Sequence, residues 1–387
     1  MNRRSFIRLA GGGLVLAATT AGAAKWFHAS QVAMPDAALQ GWRSAGQVAD
    51  LRERCLSYAI LAPNPHNMQP WIADLSDPDT ITIRHDTTRL LPETDPYSRQ
   101  ILLGLGCFLE TLKVAAGDMG VRAEFELFPD GAPGEFLDGR RAVRITLTPD
   151  RKVTRDPLFA QILARRTDRR AYDVSRPVTA SEADALITAA AGHSVLSGVV
   201  TDPTEVARVR EIAIRAMQIE MVTEGAFMES MRVLRVGTQE ILAHRDGISV
   251  TSPVPVVLSK TGLFDRTVMP EPESMAVKGQ IQKMQADMTA TPAYLWIVSD
   301  GNSREAQVNA GRAYVRMNLA ATGLGLSVHP NQQSLQEYEA VAEPYRAIHA
   351  ELAEAGQVVQ MLARVGKVTG QAELSPAPRR ALQDFLT

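Results

Sequence analysis

Four arginines crowd the stretch from Arg165 to Asp173, near the middle of the chain, where the sequence reads Arg-Arg-Thr-Asp-Arg-Arg-Ala-Tyr-Asp. A guanidinium group stays charged at any working pH, and its planar fork binds two oxygens of a phosphate at once. A run of charges is more often a solvated surface. The spacing Arg-Arg-Thr-x-Arg nevertheless favours an anion site, so we predict that this segment clamps a phosphate.

A proline-bounded loop, Pro65–Trp71, holds a second group of polar side chains. Its sequence is Pro-His-Asn-Met-Gln-Pro-Trp, and the amides of Asn67 and Gln69 each offer a donor and an acceptor. That combination matches the alternating polar edge of a flavin or a nucleobase ring. The alternative is that the two amides bind loop backbone and that Trp71 belongs to the core.

No familiar catalytic or metal motif occurs elsewhere in the sequence. It lacks His-Glu-x-x-His, Gly-x-Ser-x-Gly, a Walker loop and a Gly-x-Gly-x-x-Gly turn. The histidines are scattered singly, and Cys55 and Cys107 have no metal-ligand spacing. We therefore predict no metal and assign no catalytic acid or base. The cysteines are expected to be buried, one per helix, with a single disulfide as the alternative outside the cytoplasm.

Composition restricts the kind of partner. A chain of 387 residues with 45% hydrophobic and 22% charged residues is long enough for two domain-sized units. Its formal net charge of -2 shows no excess that would attract nucleic acid or an anionic membrane. We expect small-molecule partners and no nucleic acid.

The N-terminus has the pattern of an export signal. Arg3 and Arg4 precede Phe6, and a weakly apolar run rich in glycine and alanine follows from Leu9 to Ala24. An arginine pair before such a run is typical of the twin-arginine route, which carries folded proteins. We predict a signal over residues 1–30 and an exported, periplasmic location, and leave cleavage and anchoring open. No other stretch is expected to span a membrane.

Hydrophobic periodicity and turn residues place these groups in an α+β framework. The pattern predicts helices over 45–62 and 99–117, and strands over 71–75, 80–84, 122–128 and 142–148. Together these elements form a first unit over residues 40–150.

The chain then repeats part of this unit. Gly106, Ala115-Ala116 and Met119-Gly120-Val121 match Gly311, Ala320-Ala321 and Leu324-Gly325-Leu326 at identical offsets. We predict a second unit over residues 151–387, an internal duplication, and packing of the two units as a pseudo-dimer. The Pro65–Trp71 loop occurs only in the first copy and the arginine segment only in the second, so one working site per chain is expected.

An insertion at about 215–291 in the second unit has no counterpart in the first. It is rich in methionine, beginning with Met217, Met221, Met228 and Met231. Methionine side chains adapt to irregular surfaces. A lid over a flat ligand and a set of helices covering a hydrophobic flank are both consistent with this composition.

In combination, these motifs resemble the nitroreductase superfamily. Their order is Pro63-x-x-His66-Asn67-x-Gln69-Pro70-Trp71, then Arg165–Arg169, then Gly323–Leu326, then a tail Ser375-Pro376-Ala377-Pro378-Arg379-Arg380. More narrowly, the chain resembles the fused, tandem-copy, FMN-binding oxidoreductases of the Acg type, over nearly all of the sequence after the signal. The tail is longer between Ser and Arg than the Ser-Pro-Arg-Arg of that family.

The resemblance implies an α+β fold of two nitroreductase-like units with one FMN between them. The residues implied to bind the cofactor come from both copies: Arg165, Arg166, Thr167 and Arg169 at the phosphate and the ring edge, Arg379 as a further phosphate contact, Gly325, Leu326 and His329 near the reactive nitrogen of the ring, Pro65, His66 and Asn67 along the ring, and Gln69 as a support of their loop.

The resemblance also implies a function. We expect an FMN-dependent oxidoreductase that passes two electrons in ping-pong fashion from a small-molecule donor to a conjugated acceptor such as a nitroaromatic or a quinone. The chain is expected to be monomeric, because the pseudo-dimer lies within it. The alternatives are a flavin-binding or flavin-sequestering protein with little turnover, and a scaffold that kept the fold and lost the cofactor.

Overall fold

The computed structural model describes residues 28–370 and 373–387. The predicted export signal, residues 1–30, lies almost entirely outside the described residues and stays a prediction. The described chain forms two units, each built on a four-stranded antiparallel sheet with helices packed against it. The predicted α+β class is confirmed.

Ten strands within the described residues form two large sheets and one small one. They are β1 Trp71–Asp74, β2 Thr80–His85, β3 Val121–Leu127, β4 Arg141–Pro149, β5 Leu196–Val200, β6 Leu234–Val236, β7 Ile248–Val250, β8 Ala293–Asp300, β9 Ser327–Pro330 and β10 Gln357–Gly366. The first sheet has the order β1-β2-β4-β3 and the second the order β5-β8-β10-β9, with antiparallel pairing throughout. The two large sheets therefore share one topology. β6 and β7 form a separate parallel pair.

Helices cover both sheets and fill the space between them. The α-helices are α1 Gln40–Arg43, α2 Leu51–Ala59, α3 Arg99–Asp118, α4 Ala180–Ala190, α5 Pro203–Val222, α6 Glu224–Arg232, α7 Gly237–His244, α8 Pro253–Lys260, α9 Met275–Thr289, α10 Arg304–Gly323 and α11 Ala342–Leu352. Short 3-10 turns lie at Asp36–Leu39, Pro65–Asn67, Thr87–Arg89, Pro157–Gln161, Gln333–Leu335, Glu339–Val341 and Leu382–Phe385, and a π turn lies at His28–Val32.

Helix α2 is shorter than the periodicity predicts. The prediction over 45–62 is wrong at its start, because Asp50 caps the helix by accepting hydrogen bonds from the backbone N–H groups of Arg52 and Glu53. The helix ends at Ala59, before Pro63. The carbonyl groups just after this end become part of the candidate site described below.

The two units meet through helices α3 and α10, each of which spans 20 residues. A Cβ atom on Gly106 would lie 1.9 Å from the carbonyl oxygen of Val308, and one on Gly311 would lie 1.9 Å from that of Leu103. The glycines occupy matching positions in the two helices, and so do Leu103 and Val308. The contact is therefore reciprocal, as across a twofold axis, and only glycine allows it.

Helix α3 is, by length and composition alone, apolar enough to cross a membrane, although no stretch after the signal is predicted to span one. Of its most apolar window, 94% is buried inside the protein. The helix is buried because it forms the centre of the main core, between the first sheet and α10. Cys55 on α2 and Cys107 on α3 are buried and free, as predicted.

The segment between β5 and β8 contains the predicted insertion at about 215–291, and it opens with α5, which begins at Pro203 because Asp202 caps it. Methionines 217 and 288 pack with Tyr294 and Ile348 in a core on the second sheet. The ends of the segment therefore cover a hydrophobic flank. Its middle has a different position, against the first unit, where Val233 packs on Met68.

Candidate functional site

Arg165 is buried where the two units meet. Its side chain is 5% exposed, and Nη2 lies 3.4 Å from the carbonyl oxygen of Leu61, just after helix α2. The other terminal nitrogen, Nη1, is buried and has no hydrogen-bond partner among the described residues. Leaving such a donor unpaired costs about 1–3 kcal/mol or more. An anion bound at this position would satisfy it.

Arg166 and Arg379 extend this position into what we call the basic cluster: Arg165, Arg166 and Arg379. The guanidinium groups of Arg166 and Arg379 lie 5.1 and 5.3 Å from the ring centre of Trp42. Burial lowers the pKa of all three arginines, and repulsion from Arg165 adds to this at Arg379. Within the described residues none of the three forms an ion pair with a carboxylate, and only the more distant charge of Glu373 acts on Arg166 and opposes the lowering of its pKa.

Arg379 uses its donors inside the protein. Its guanidinium donates to the carbonyl oxygens of Ile60, Leu61 and Ala62 at 2.7, 2.9 and 3.1 Å, and to Oδ1 of Asn67 at 2.6 Å. These carbonyls end helix α2, so Arg379 caps that end. Its geometry speaks against the predicted direct contact with a phosphate and leaves Arg379 as a source of charge and of loop structure.

Arg169 joins the arginine segment to the Pro65–Trp71 loop. Burial, and after it the charge of Arg169, lowers the pKa of His66 to about 4. Arg169 also contributes to lowering the pKa of His329, where burial and Arg364 are the larger causes. Arg169 of the second unit thus acts electrostatically on His66 of the first. Nδ1 of His66 is buried without a partner.

Arg364 fixes the state of His329. This arginine of β10 is fully buried, and its Nη2 lies 2.9 Å from Nδ1 of His329. A guanidinium can only donate, so Nδ1 accepts and the proton of the neutral imidazole lies on Nε2. Nη2 of Arg364 also donates to the carbonyl oxygens of Arg169 and Arg170 at 3.2 and 3.3 Å. Arg364 therefore holds the histidine and the arginine segment in one arrangement.

The Pro65–Trp71 loop adopts an unusual backbone. His66, Asn67 and Gln69 have φ angles of 45, 56 and 52°, in the left-handed region that costs about 1–3 kcal/mol for residues other than glycine. Pro65 approaches α3 closely at Gly104, where a Cβ would lie 3.2 Å from the proline ring. Such a conformation persists only when its surroundings hold it.

Hydrogen bonds to the side chains of the loop hold it in place. Nδ2 of Asn67 donates to the carbonyl oxygen of Pro378 at 3.0 Å. Gln69 is fully buried; its Nε2 donates to the carbonyl oxygen of Arg245 at 2.9 Å, and its Oε1 accepts from the backbone of Arg380 at 3.0 Å. Both amides thus bind protein, which is the alternative that the sequence left open. Gln69 supports the loop, and Asn67 is not free to face a ligand.

The middle of the insertion closes over the same loop. Asp246 forms ion pairs with Arg89 of the first unit at 2.6 Å and with Arg235 at 2.8 Å, and the N–H of Gly247 donates to the carbonyl oxygen of Asn67 at 3.2 Å. We call residues 233–250, which make these contacts, the clamp. It contacts the outer side of the loop, and its role as a lid stays a prediction.

The remaining predicted residues lie around this centre. Thr167 forms an isolated bridge with Val328 of β9, which places the arginine segment beside the strand that carries His329. Gly325 has a φ of 70° in an open turn, and Leu326 packs in the main core at 5% exposure. Arg165, Arg166, Thr167, Arg169, Pro65, His66 and His329 are thus gathered, whereas Leu326 has a packing role.

The opposite interface of the two units contains a network of ion pairs. Glu110 of α3 is 1% exposed and pairs with Arg312 and Arg316 of α10 at 3.0 Å each, and with Nε2 of His193 at 3.3 Å. Burial opposes the ionisation of Glu110, but the hydrogen bond from His193 and the charge of Arg312 hold its pKa at about 2. The carboxylate of Glu110 therefore balances positive charge at this interface.

The two interfaces are built alike. Arg316 and His193 bind the carbonyl oxygens of Ala189 and Ala190 at the end of α4, as Arg379 and Arg165 bind those at the end of α2. The difference is the carboxylate, since the basic cluster has no counterpart of Glu110 within the described residues.

Sequence reasoning did not find Arg364, Trp42 or Glu110. The one sequence signal for Arg364 was a single charge inside the apolar strand Gln357–Gly366. The sequence held no signal for Trp42 or Glu110, because their roles depend on contacts between distant parts of the chain. No group of three or more histidines, cysteines or carboxylates that could hold a metal occurs among the described residues.

The described chain is a two-unit α+β protein with a cluster of arginines where the two units meet. No protein-family model matches the chain. A protein of Mycobacterium tuberculosis (strain ATCC 25618 / H37Rv) named "Putative NAD(P)H nitroreductase" is 29% identical over 336 residues, which cover 86% of this chain and 89% of the relative. The "Putative NAD(P)H nitroreductase acg" of the same organism is 34% identical over 122 residues, 31% of this chain and 35% of the relative.

Solved structures of nitroreductases match about three fifths of the chain. The FMN- and NADPH-dependent nitroreductase NfnB from a Sphigopyxis strain is 17% identical with a TM-score of 0.37, covering 60% of this chain and 98% of its own. A nitroreductase with bound FMN from Bacteroides fragilis is 14% identical with a TM-score of 0.36, and the match covers 58% of this chain and 96% of that structure. The chain is therefore similar to nitroreductase-type proteins, by sequence along most of its length.

Proposed function

We propose that the protein binds one FMN between its two units and uses it to transfer two electrons from a small-molecule donor to a conjugated acceptor. The observation that carries the proposal is the buried Nη1 of Arg165, which has no hydrogen-bond partner among the described residues and lies in a cluster of arginines that form no ion pair with a carboxylate there. The sequence similarity to NAD(P)H nitroreductases along 86% of the chain supports the reaction type.

The residues present fit the two ends of such a cofactor. Arg165 and Arg166 supply donors and charge for a phosphate. Arg169 supplies a cation for the electron-rich edge of a flat ring. The imidazoles of His66 and His329 supply polar nitrogens for the same edge. Nδ1 of His66 has no protein partner, which leaves a polar atom for that edge.

Bound FMN would supply the two-electron chemistry, and the chain would supply position and electrostatics. Arg169 would stabilise negative charge that develops close to it, because a guanidinium stays protonated at any working pH. His329 stays neutral and presents its Nε2 proton as a donor, since Arg364 occupies Nδ1. The basic cluster anchors a phosphate and thereby sets the position of any ring attached to it.

An internal duplication accounts for the two similar interfaces. It is supported by the shared strand order of the two sheets and by the reciprocal contact of Gly106 and Gly311. Under this proposal one interface kept its anion site, whereas Glu110 neutralises the other. We expect one FMN per chain.

Absorbance of the purified protein, with the mass of any compound released on denaturation, tests cofactor binding. We expect a flavin spectrum, and an affinity for FMN about tenfold or more lower in Arg165→Gln, because a charge-assisted hydrogen bond is lost. Arg176→Gln is the matched control, since Arg176 is 53% exposed and pairs only at the surface, with Asp173. Equal FMN affinity in all three proteins would overturn the site.

Turnover tests the reaction. Bound flavin should be reduced by NAD(P)H or by another donor and reoxidised by a nitroaromatic or a quinone, with parallel lines in double-reciprocal plots as expected for a ping-pong scheme. The second candidate, a flavin-sequestering protein, is favoured by the clamp, which fixes the loop beside the site. It predicts tight FMN binding with no turnover by any donor and acceptor.

We also propose that the protein is exported by the twin-arginine route, on the strength of the Arg3-Arg4 pattern. Cell fractionation of the full chain and of the double variant Arg3→Lys, Arg4→Lys tests it. The wild type should appear outside the cytoplasm and the variant should stay inside; equal distribution would contradict export by this route.

A further inference from the structure

Glu220, near the end of helix α5, is a half-buried carboxylate that forms no ion pair with a cation among the described residues. Its Oε2 accepts a hydrogen bond from Nε2 of Gln336 at 3.0 Å, and Gln333 donates a second one. The one charged group acting on it is another carboxylate, Glu229, which itself accepts bonds from the backbone and hydroxyl of Thr94 at 2.9 and 2.6 Å. The negative charge of Glu220 is therefore uncompensated among the described residues.

The surroundings of Glu220 consist of acceptors that lack donors. Because the amide nitrogens of Gln333 and Gln336 point at the carboxylate, their oxygens point away, and both oxygens are buried without a partner. The hydroxyl of Tyr338, whose pKa is raised by burial and by Glu220, is also unpartnered. Gln336 is 5% exposed, whereas Glu220, Gln333 and Tyr338 keep part of their surface exposed. The group thus extends from the surface inward.

This chemistry favours a ligand that brings positive charge and hydrogen-bond donors. Each carboxylate oxygen retains a free lone pair after accepting one bond. An ammonium group donates three N–H bonds and carries the charge that Glu220 lacks. A divalent metal fits less well, because it needs several oxygens converging on one point, whereas both amides present nitrogen to the carboxylate.

We propose that Glu220, Gln333, Gln336 and Tyr338 form a binding site for a small organic ammonium group, such as the primary amine of a substrate or effector. The site lies between α5 and the segment that follows β9 and His329. It is built from groups that take no part in the basic cluster, and the proposal does not depend on the binding of FMN.

Titration calorimetry on the full, folded chain with n-butylammonium and 1,4-diaminobutane tests this, with n-butanol as the neutral probe of the same shape. We expect both amines to bind and n-butanol not to bind. Glu220→Gln should weaken amine binding about tenfold or more, since a charge-assisted contact is removed. Glu211→Gln, on the exposed side of the same helix, should leave binding unchanged.

The outcomes separate clearly. Tyr338→Phe keeps the shape of the side chain and should weaken binding less than Glu220→Gln, which gives a second test if Glu220→Gln fails to fold. The proposal is overturned if the wild type binds neither amine, if n-butanol binds equally well, or if calcium ions bind at Glu220 instead. None of these readouts uses flavin or turnover.

Discussion

Single buried charges determine the chemistry that the candidate site can perform, and Arg364 is the clearest case. Its contact with Nδ1 of His329 places the imidazole proton on Nε2 and disfavours protonation of the ring. The donor that faces the site is therefore set by a residue that need not touch any ligand. The same guanidinium packs 4.7 Å from the ring centre of Tyr172, which fixes its own position.

Arg364→Met should release His329. Methionine keeps much of the apolar stem and removes the charge, so the pKa of His329 should rise, although burial and Arg169 still hold it below the ordinary value near 6.5. Nitrogen-15 NMR of the imidazole should show the Nε2–H form in the wild type and a mixture of forms in the variant. Arg176→Met serves as control, and an unchanged spectrum in Arg364→Met would contradict the role assigned to Arg364.

Glu220 should make stability depend on pH. Burial raises its pKa from 4.5 to about 7, with the charge of Glu229 as a further cause, whereas the bonds from Gln333 and Gln336 oppose the rise. Between pH 4.5 and 7 the folded state binds the proton more tightly than the unfolded state. The free energy of unfolding therefore falls as pH rises through this window, and the loss is complete above it.

Denaturant unfolding of Glu220→Gln at pH 5 and pH 8 checks this dependence. Relative to wild type, the variant should gain about 1–3 kcal/mol more at pH 8 than at pH 5. Glu211→Gln, exposed on the same helix, should show no such difference. The assignment fails if the stability difference between Glu220→Gln and wild type is the same at both pH values.

Helices α3 and α10 can approach as closely as they do only through their glycines. A Cβ on Gly311 would lie 1.9 Å from the carbonyl oxygen of Leu103, a backbone atom that cannot move without shifting its helix. We expect Gly311→Ala to lower the free energy of unfolding by about 2–3 kcal/mol. Gly279→Ala on α9, where a Cβ meets nothing within 4 Å, should instead raise it by about 0.5–1 kcal/mol. Equal effects in thermal or denaturant unfolding would argue against close packing at this crossing.

Elements were predictable where local pattern decides them. The strands of the first sheet and helix α3 follow from alternation and helical periodicity and differ from the predictions by one or two residues. Helix α2 started later than predicted, because the cap at Asp50 competes with apolar periodicity upstream. The arginine segment was recognisable by composition, but the role of Arg379 was not, since it depends on carbonyls more than 300 residues away in sequence.

At the scale of the whole molecule, the two interfaces between the units have the same construction and differ in how their positive charge is balanced. Both place cationic side chains on the carbonyls that end a helix, α2 in one and α4 in the other. Glu110 neutralises the second interface from within the chain. The first interface has no such ion-paired carboxylate among the described residues, which is why we propose that an anion binds there. Under that proposal, one chain with two similar interfaces offers one anion site.

The clamp should control access to that site, because it fixes the loop that carries His66. Asp246→Asn removes the charge that binds Arg89 and Arg235. We expect the insertion to detach more often, so that bound flavin dissociates several-fold faster and proteolysis within residues 224–250 accelerates. Glu351→Gln, which breaks a surface pair with Arg208 in the same unit, is the matched control. Flavin release followed by fluorescence, together with timed proteolysis, measures both effects. Faster proteolysis without faster release would show that the clamp stabilises the fold but does not gate the site, whereas no change in either would refute the clamp altogether.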